Sequence, residues 1–394
     1  MKKLLLATAA TALSVGMATA EDVKIGISMG FTGPLESMAP QMANGAELAI
    51  KEISDSGKLM DGAKVEAVRA DNTCADAAAS VAAVERLVTS DKVNGIMGGM
   101  CSGETIASLE RVAVPNGMVM ISPSATSPAL STIDDKGFFF RTSPSDARQG
   151  DVMADIALER GVKSVAITYT NNDYGKGLAE AFKTAYEGKG GKVTMIAAHD
   201  DGKADYSAEV AALAAAGGDA LAVVGYVDQG GSGIVRGALD SGAFSTFIMP
   251  DGMVGQALID KFGAELETSF GQNPSSEGAG RDKFTELAKS AGFDGSAVYS
   301  GEAYDAAALM LLAMQAAKST DPKVYKDKIM EVANGPGEKI GVGELAKGLE
   351  LLAAGTDIDY DGASSVELIE PGESAGTFRE VDFKGGTLNV VKMR

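Results

Sequence analysis

The chain has 394 residues, of which 54 are acidic and 35 basic, so its formal net charge at pH 7 is −19. A chain this acidic repels phosphate backbones and anionic membranes, which argues against nucleic acid and lipid surfaces as partners. His199 is the single histidine, which argues against histidine-based catalytic triads and multi-histidine zinc sites. We therefore expect no metal centre.

The N-terminus has the pattern of a secretory signal peptide. Lys2 and Lys3 precede the apolar stretch LLLATAATALSVGM (4–17), and Ala18-Thr19-Ala20 supplies the small-x-small motif of a cleavage site. Fourteen apolar residues are too few to span ~30 Å of hydrocarbon as a helix. No cysteine follows this site for lipid attachment. We therefore predict cleavage after Ala20 and export to the periplasm.

The mature sequence begins with alternating strands and helices. Near-continuous apolar runs separated by amphipathic stretches indicate a parallel sheet covered on both faces. The predicted strands are 23–29, 63–70, 93–99 and 117–123, and the predicted helices are 39–54, 75–88 and 103–113.

A second series of the same kind follows the segment FFFRTSPSD (138–146), which indicates a crossing between domains. The Gly/Pro/Ser-rich segment GQNPSSEGAG (271–280) predicts a loop and a second crossing. The second series comprises helices 146–160, 174–188, 205–216 and 231–241 with strands 164–170, 192–198, 219–226 and 246–250, and it is followed by helices 281–290, 301–318 and 323–333 and by short β-like pieces within 364–394. The pattern predicts two interleaved α/β domains.

Cys74 and Cys101 are the only cysteines of the chain. Two cysteines in an exported protein most often form a disulfide, which is our prediction. Free thiols and a nucleophilic Cys101 are the alternatives, and a nucleophile needs a base that the distant His199 does not obviously supply.

The loops after the strands hold the candidate functional residues, because ligands of such sheets lie beyond the carboxyl ends of the strands. None of these loops has a dinucleotide or P-loop motif, so we expect no cofactor. Ser102 either caps the helix that follows it or helps the helix N-terminus to hold a carboxylate. Asp251 is either a turn residue or the partner of an ammonium group. The loops are MGFTGPLES (29–37), DNTC (71–74), GGMCSGET (98–105), ISPSATSP (121–128), TNNDYGKG (170–177), GYVDQGG (225–231) and MPDGM (249–253).

In order and spacing, several segments resemble the periplasmic leucine/isoleucine/valine-binding proteins, the solute receptors of branched-chain amino acid ABC transporters. They are FTGPLES with NGAELAIKEIS, DNTC…MCS, ISPSATSP, NDYGKGLA, MPDG and EAYDAAALM, and the resemblance covers nearly all of the mature chain. It implies a type I periplasmic binding fold, with two doubly wound parallel-sheet lobes joined by three crossover strands. We place the N-terminal lobe at 21–142 plus 272–375 and the C-terminal lobe at 143–271 plus 376–394.

The resemblance also implies a role for individual residues around an amino-acid ligand. The Ser102 hydroxyl and the Thr126 N–H would bind the α-carboxylate, and the Ser124 carbonyl and the Thr126 hydroxyl would bind the α-ammonium. Asp251 stands where the family has an acidic partner for that ammonium. The remaining residues of the predicted site are Met38, Met100, Cys101, Ala125, Tyr174 and Tyr226.

Two departures from the family pattern leave the ligand open. Asp251 is one methylene shorter than the glutamate that is common in the family, and Met38 replaces an aromatic residue of the leucine-type receptors. Met29, Met38 and Met100 would form a soft, adaptable wall. An amide or an aromatic carboxylate therefore stays an alternative to a branched-chain or other apolar amino acid.

The predicted function is a monomeric receptor that closes over its ligand and delivers it to an inner-membrane ABC permease. A sensory module of the same fold is less compatible with the sequence, because nothing after residue 21 could span a membrane. An exported hydrolase that uses Ser102 or Cys101 is the alternative of another class. It lacks an evident base, so we predict that the protein is not an enzyme.

Overall fold

The structure is a computed structural model that describes residues 22–394. The predicted signal peptide and its cleavage site lie outside the described residues. Among the helices of residues 22–394, none combines the length and the apolar character that a membrane crossing requires.

Two large sheets account for most of the strands, and each sheet belongs to one lobe. The strands are β1 Val23–Met29, β2 Val65–Asp71, β3 Gly95–Gly98, β4 Met120–Ser122, β5 Phe139–Arg141, β6 Ser164–Thr170, β7 Lys192–His199, β8 Ala220–Val224, β9 Phe247–Met249, β10 Phe270–Pro274, β11 Glu338–Ile340, β12 Ile358–Tyr360, β13 Leu368–Ile369, β14 Glu373–Ser374, β15 Phe378–Asp382 and β16 Asn389–Met393.

The helices alternate with these strands as the sequence predicts. They are α1 Ala39–Ser56, α2 Ala77–Arg86, α3 Ser102–Ser108, α4 Val114–Asn116, α5 Asp146–Glu159, α6 Asp173–Gly188, α7 Ser207–Ala216, α8 Gly230–Ser241, α9 Gln256–Phe262, α10 Ala279–Ala291, α11 Ser300–Ala317, α12 Pro322–Tyr325, α13 Ile329–Ala333 and α14 Leu345–Ala353. Between α3 and α4 the chain stays helical through a π-type turn at Leu109–Ala113.

The two sheets have the same doubly wound order. In the first, β1 to β5 are parallel and lie in the order β5-β4-β3-β1-β2, and in the second the order is β10-β9-β8-β6-β7. In this arrangement the winding reverses between β1 and β3 and between β6 and β8. The loops at those two points are therefore where a ligand is expected.

The chain crosses between the lobes at three places. The segments 142–145, 275–278 and 375–377 connect β5 to α5, β10 to α10 and β14 to β15. The second and third crossings touch, because the N–H of Ser275 donates to the carbonyl oxygen of Thr377 at 3.0 Å. Adjacent crossing strands form a hinge about which two lobes can close on a ligand.

Helix α11 is the centre of the first lobe, and its residues from Ser300 to Gln315 are all buried. A helix that is buried on every side lies within a core, and this one packs against α1, α13 and α14. Its N-terminus, which follows Tyr299, is thereby held at the cleft between the lobes.

The prediction of two doubly wound parallel-sheet lobes is confirmed. The sequence did not predict helices α9 and α14, and it misread one segment, because residues 270–274 form strand β10, whereas 271–280 were predicted to be a loop. The reason is that β10 pairs with β9 on one side and with the antiparallel β15 on the other. Tertiary pairing therefore overrides its loop-like composition.

Candidate ligand-binding site

A small buried cavity lies between the carboxyl ends of the two sheets. Its volume is about 20 Å³, which is room for roughly one water molecule. Loops after β1, β3 and β4 of the first lobe face loops after β6, β8 and β9 of the second. The cavity is lined by Leu35, Met38, Met100, Cys101, Ser102, Ser124 and Tyr299 on one side and by Tyr174, Tyr226, Asp251 and Gly252 on the other. A larger molecule enters only when the lobes or side chains move apart.

Ser102 is the first residue of α3, and its hydroxyl does not cap that helix. Its Oγ instead accepts a hydrogen bond of 3.1 Å from the N–H of Ser127, which lies in the next loop of the first lobe. Because the oxygen is already an acceptor there, the hydroxyl proton is oriented away from that N–H and can be donated to an anion. Of the two roles considered from the sequence, the structure excludes capping.

The loop after β4 is tied to the loop after β3 by serine hydroxyls. Ser122 Oγ donates to the carbonyl oxygen of Gly99 at 2.7 Å, and Ser124 Oγ donates to that of Met100 at 2.8 Å. Thr126 is fully buried and lies behind the cavity wall, as does Ala125. Within residues 22–394 the Thr126 hydroxyl has no hydrogen-bond partner. These hydrogen bonds join the two loops and fix the position of Ser102.

Asp251 lies on the opposite side of the cavity and is almost completely buried. Its Oδ1 accepts hydrogen bonds from Tyr174 Oη at 2.8 Å and Gln149 Nε2 at 2.6 Å, and its Oδ2 accepts one from Tyr299 Oη at 2.7 Å. Burial raises the pKa of Asp251, while the hydrogen bonds to its carboxylate oppose that shift. Tyr299 belongs to the first lobe, so this last hydrogen bond joins the two lobes.

Tyr174 and Tyr299 are neutral donors to Asp251, and Tyr226 stacks on Tyr174. The rings of Tyr174 and Tyr226 stack with their centroids 5.2 Å apart and their planes 10° from parallel. Burial raises the pKa of both phenols well above the ordinary value, so neither ionises near neutral pH. Gly252 permits this arrangement, because a Cβ at that position would lie 2.9 Å from Tyr174 Oη.

A second buried carboxylate, Asp146, lies near the first and was not predicted from the sequence. It is fully buried at the start of α5, and neither of its oxygens has a hydrogen-bond partner within the described residues. Burial raises its pKa well above the ordinary value, and the negative charge of Asp251 raises it further. Its N–H donates to the carbonyl oxygen of Thr126 at 2.8 Å, which fixes it against the loop that follows β4.

The disulfide Cys74–Cys101 forms as predicted, and the described residues contain no free cysteine. Thr73 and Cys74 both have positive φ angles, 62° and 53°, in a region that non-glycine residues rarely occupy. Asp71 Oδ1 accepts the N–H of Thr73 at 2.9 Å and steadies this turn. Because the sulfur of Cys101 is bonded, it cannot act as a nucleophile.

Eight of the ten residues predicted for the site border the cavity. They are Met38, Met100, Cys101, Ser102, Ser124, Tyr174, Tyr226 and Asp251, whereas Ala125 and Thr126 lie behind it. The sequence reasoning missed Leu35, Tyr299, Gly252, Gln149 and Asp146. Leu35 and Gly252 lie in loops that the strand-end rule selects, so this rule could have found them. Tyr299, in contrast, precedes a helix and follows no strand.

The fold and the cavity together define a two-lobed protein that encloses a small molecule between its lobes. Side chains with hydroxyl groups, Ser102, Ser124 and Tyr299, line the cavity from the first lobe, and the carboxylate of Asp251 lines it from the second. Among residues 22–394 there is no group of three His, Cys, Asp or Glu side chains placed to hold a metal ion.

The chain belongs to the periplasmic binding protein family, which matches residues 22–334. It is 30% identical over 340 residues to Leu/Ile/Val-binding protein homolog 1 of Brucella melitensis, which covers 83% of this chain and 89% of that protein. It is 28% identical to the leucine-, isoleucine-, valine-, threonine- and alanine-binding protein of Pseudomonas aeruginosa over 77% of this chain and 81% of that protein. These matches confirm the family that the sequence resembles.

Solved structures of similar proteins have the same fold. The leucine-binding protein LivK of Thermotoga maritima superimposes with a TM-score of 0.79 at 22% identity, covering 94% of this chain and 98% of that one. A solute-binding protein of Rhodopseudomonas palustris in complex with 4-hydroxybenzoate gives a TM-score of 0.73 at 18% identity, with coverage of 95% and 97%. The fold is therefore the type I periplasmic binding fold.

Proposed function

We propose that this protein is the solute-binding receptor of an ABC importer and that it binds an α-amino acid with an apolar side chain between its lobes. The observation that carries the proposal is the opposition of Ser102 on the first lobe and Asp251 on the second across one buried cavity. A zwitterion needs a donor for its carboxylate and a carboxylate for its ammonium, because an unpaired buried charge is costly. The names of the relatives, which bind leucine, isoleucine and valine among others, agree with this assignment.

Each wall of the cavity has a separate role in this proposal. The Ser102 hydroxyl and the N–H groups of the first turn of α3, which have no partner within the helix, hold the α-carboxylate. Asp251, with Asp146 behind it, provides the negative charge that the α-ammonium requires. The side chain of the ligand then lies against Leu35, Met38 and Met100, where methionine adapts to its shape.

The proposal also covers the processing, the oligomeric state and the delivery step of the protein in the periplasm. The chain is cleaved after Ala20, works as a monomer and presents its closed, loaded form to a membrane permease. The lobes divide along the three crossings described above. Mass spectrometry of the mature N-terminus and light scattering of the purified protein test the first two statements.

A ligand screen tests the binding function directly. The mature chain is unfolded in denaturant, dialysed and refolded to remove bound solute, and its melting temperature is then measured with single amino acids, neutral amides and aryl carboxylates. A ligand at 100 times its Kd raises the stability of the folded state by about 2.7 kcal/mol. We expect apolar α-amino acids to give this shift.

The Ser102→Ala variant and a matched control complete the test. Loss of a hydrogen bond to a charged group costs about 1.5–3 kcal/mol, so the Kd for the best amino acid should rise roughly 10- to 150-fold. Ser290→Ala, on the exposed end of α10, should leave it unchanged. A shift by aryl carboxylates or amides alone, with none by any α-amino acid, would contradict the proposal.

A further inference from the structure

A much larger groove lies beside the ligand cavity, and Met38 borders both. The groove has a volume of about 700 Å³, against about 20 Å³ for the cavity. Neighbouring residues of the same loops line the two spaces, because Tyr226 and Tyr299 border the cavity while Val227 and Val298 border the groove. The two spaces are therefore adjacent, and the Met38 side chain lies between them.

The part of the groove next to the cavity is apolar. Val227, Val254 and Val298 border it, but only 1%, 0% and 4% of their surfaces are exposed, so they pack beneath its wall. Ile259 and Ala297 add half-buried apolar surface. Polar side chains also line the groove, so its apolar surface suits a hydrocarbon segment of limited length.

Met38 is suited to act as a movable partition. Its side chain is half-buried and packs against the core of the first lobe. A methionine side chain is unbranched and has three rotatable bonds, so it changes rotamer more easily than the branched or aromatic residues that could occupy this position.

From this arrangement we infer that the receptor takes α-amino acids with an unbranched side chain longer than that of leucine. The zwitterionic end is held at Ser102 and Asp251, and the tail passes Met38 into the groove beside Ile259 and Ala297. The inference rests on the proposed function, since the zwitterion anchors the ligand. It extends that function to a substrate class for which the small cavity alone has no room.

A homologous series of ligands tests the inference. Titration calorimetry with refolded protein gives Kd for norvaline, norleucine, α-aminoheptanoate, α-aminooctanoate and α-aminodecanoate, with leucine and isoleucine as branched references. Burial of one methylene contributes about 0.8 kcal/mol, which corresponds to roughly a fourfold lower Kd. We expect this decrease to continue beyond norleucine for at least two methylenes.

Variants of the groove separate its role from that of the cavity. Ala297→Trp obstructs part of the groove and Ile259→Ser makes its wall more polar, and neither residue borders the cavity. Either variant should raise the Kd of α-aminooctanoate about tenfold and leave that of norvaline unchanged. Met38→Ala should favour the long ligands over norvaline, and Met195→Ala, on the edge strand β7, is the matched control.

The outcomes of these experiments distinguish a failure of this inference from a failure of the proposed function. If short amino acids bind but the Kd rises with every methylene beyond norleucine, the inference is wrong and the proposed function stands. If no α-amino acid of any length binds, both are wrong. A lower Kd for long ligands that neither Ala297→Trp nor Ile259→Ser affects would also overturn the inference, because the tail would then lie elsewhere.

Discussion

Replacement of Asp251 by asparagine tests whether this residue is the counter-charge of the ligand. The change preserves the shape of the side chain and removes its negative charge. An amide oxygen can still accept from Tyr174 and Gln149, which donate to Oδ1, but the amide group cannot accept from Tyr299 as Oδ2 does. Tyr299→Phe removes that interlobe hydrogen bond alone and is therefore the matched control.

The structure indicates the size of the effect. Removing one partner of a buried ion pair costs about 3–5 kcal/mol. We take the lower end, about 3 kcal/mol, because Asp146 remains nearby, and this corresponds to a roughly 150-fold rise in Kd. The free protein should keep its stability, since burial already raises the pKa of Asp251 and so opposes its charged form.

The assay is titration calorimetry of each variant with the best amino acid, alongside thermal unfolding without ligand. Asp251→Asn should show the roughly 150-fold rise in Kd and an unchanged melting temperature. Tyr299→Phe should raise the Kd by no more than about tenfold, because it removes one hydrogen bond. If Asp251→Asn changes Kd less than threefold while Asp146→Asn changes it more than a hundredfold, the assignment is refuted. Asp146 would then be the counter-charge.

Three further predictions concern stability and closure. His199 is buried, and burial lowers its pKa to about 4. As the pH falls from 6.5 to 4, the unfolded chain therefore gains a proton at this position before the folded protein does. The free energy of unfolding of the wild type, measured in urea, should fall by about 3 kcal/mol relative to that of His199→Asn. A constant difference would contradict this. Cys74 and Cys101 are 27 residues apart, and replacing both by serine should lower the free energy of unfolding by about 3.5 kcal/mol. The comparison is made with the wild type under non-reducing conditions, and an unchanged free energy of unfolding would contradict a stabilising role of the disulfide. Asp228 of the second lobe accepts the N–H of Ser37 of the first at 2.9 Å, so Asp228→Ala should weaken ligand binding about fivefold, whereas the exposed Asp240→Ala should not.

The fold could be predicted from the sequence because buried parallel strands are read directly from continuous apolar runs. VKIGISM and SVAITYT each became the strand at which the winding of a sheet reverses, next to the edge strand of that sheet. Strand β10 could not be predicted in this way, because FGQNP owes its conformation to two neighbouring strands distant in sequence. The short β11 and β12 pair with each other for the same non-local reason.

Much of the site could also be predicted from the sequence, because the strand-end rule selects the loops that hold Ser102, Ser124, Tyr174, Tyr226 and Asp251. Asp146 was missed because an acidic residue at the start of a helix is an ordinary stabilising feature. Its unusual environment arises from the first crossing, which buries it near Asp251. Tyr299 was missed because it reaches the cavity from the start of α11, which only the packing of that helix against α1 brings to the cleft.

The division of charge between the lobes explains how a ligand could drive closure. Ser102 lies on the first lobe and Asp251 on the second, so a zwitterion satisfies both of its charges only in the closed form. Without ligand, the closed form retains Tyr299 on Asp251 and Ser37 on Asp228 as interlobe contacts, and it also buries Asp146 beside a second carboxylate. A ligand shifts a hinge equilibrium only by the difference between its affinities for the two forms. Here that difference comes from the ammonium, because it brings a positive charge to Asp251, whose carboxylate accepts hydrogen bonds from Tyr174, Gln149 and Tyr299 but pairs with no cation among the described residues.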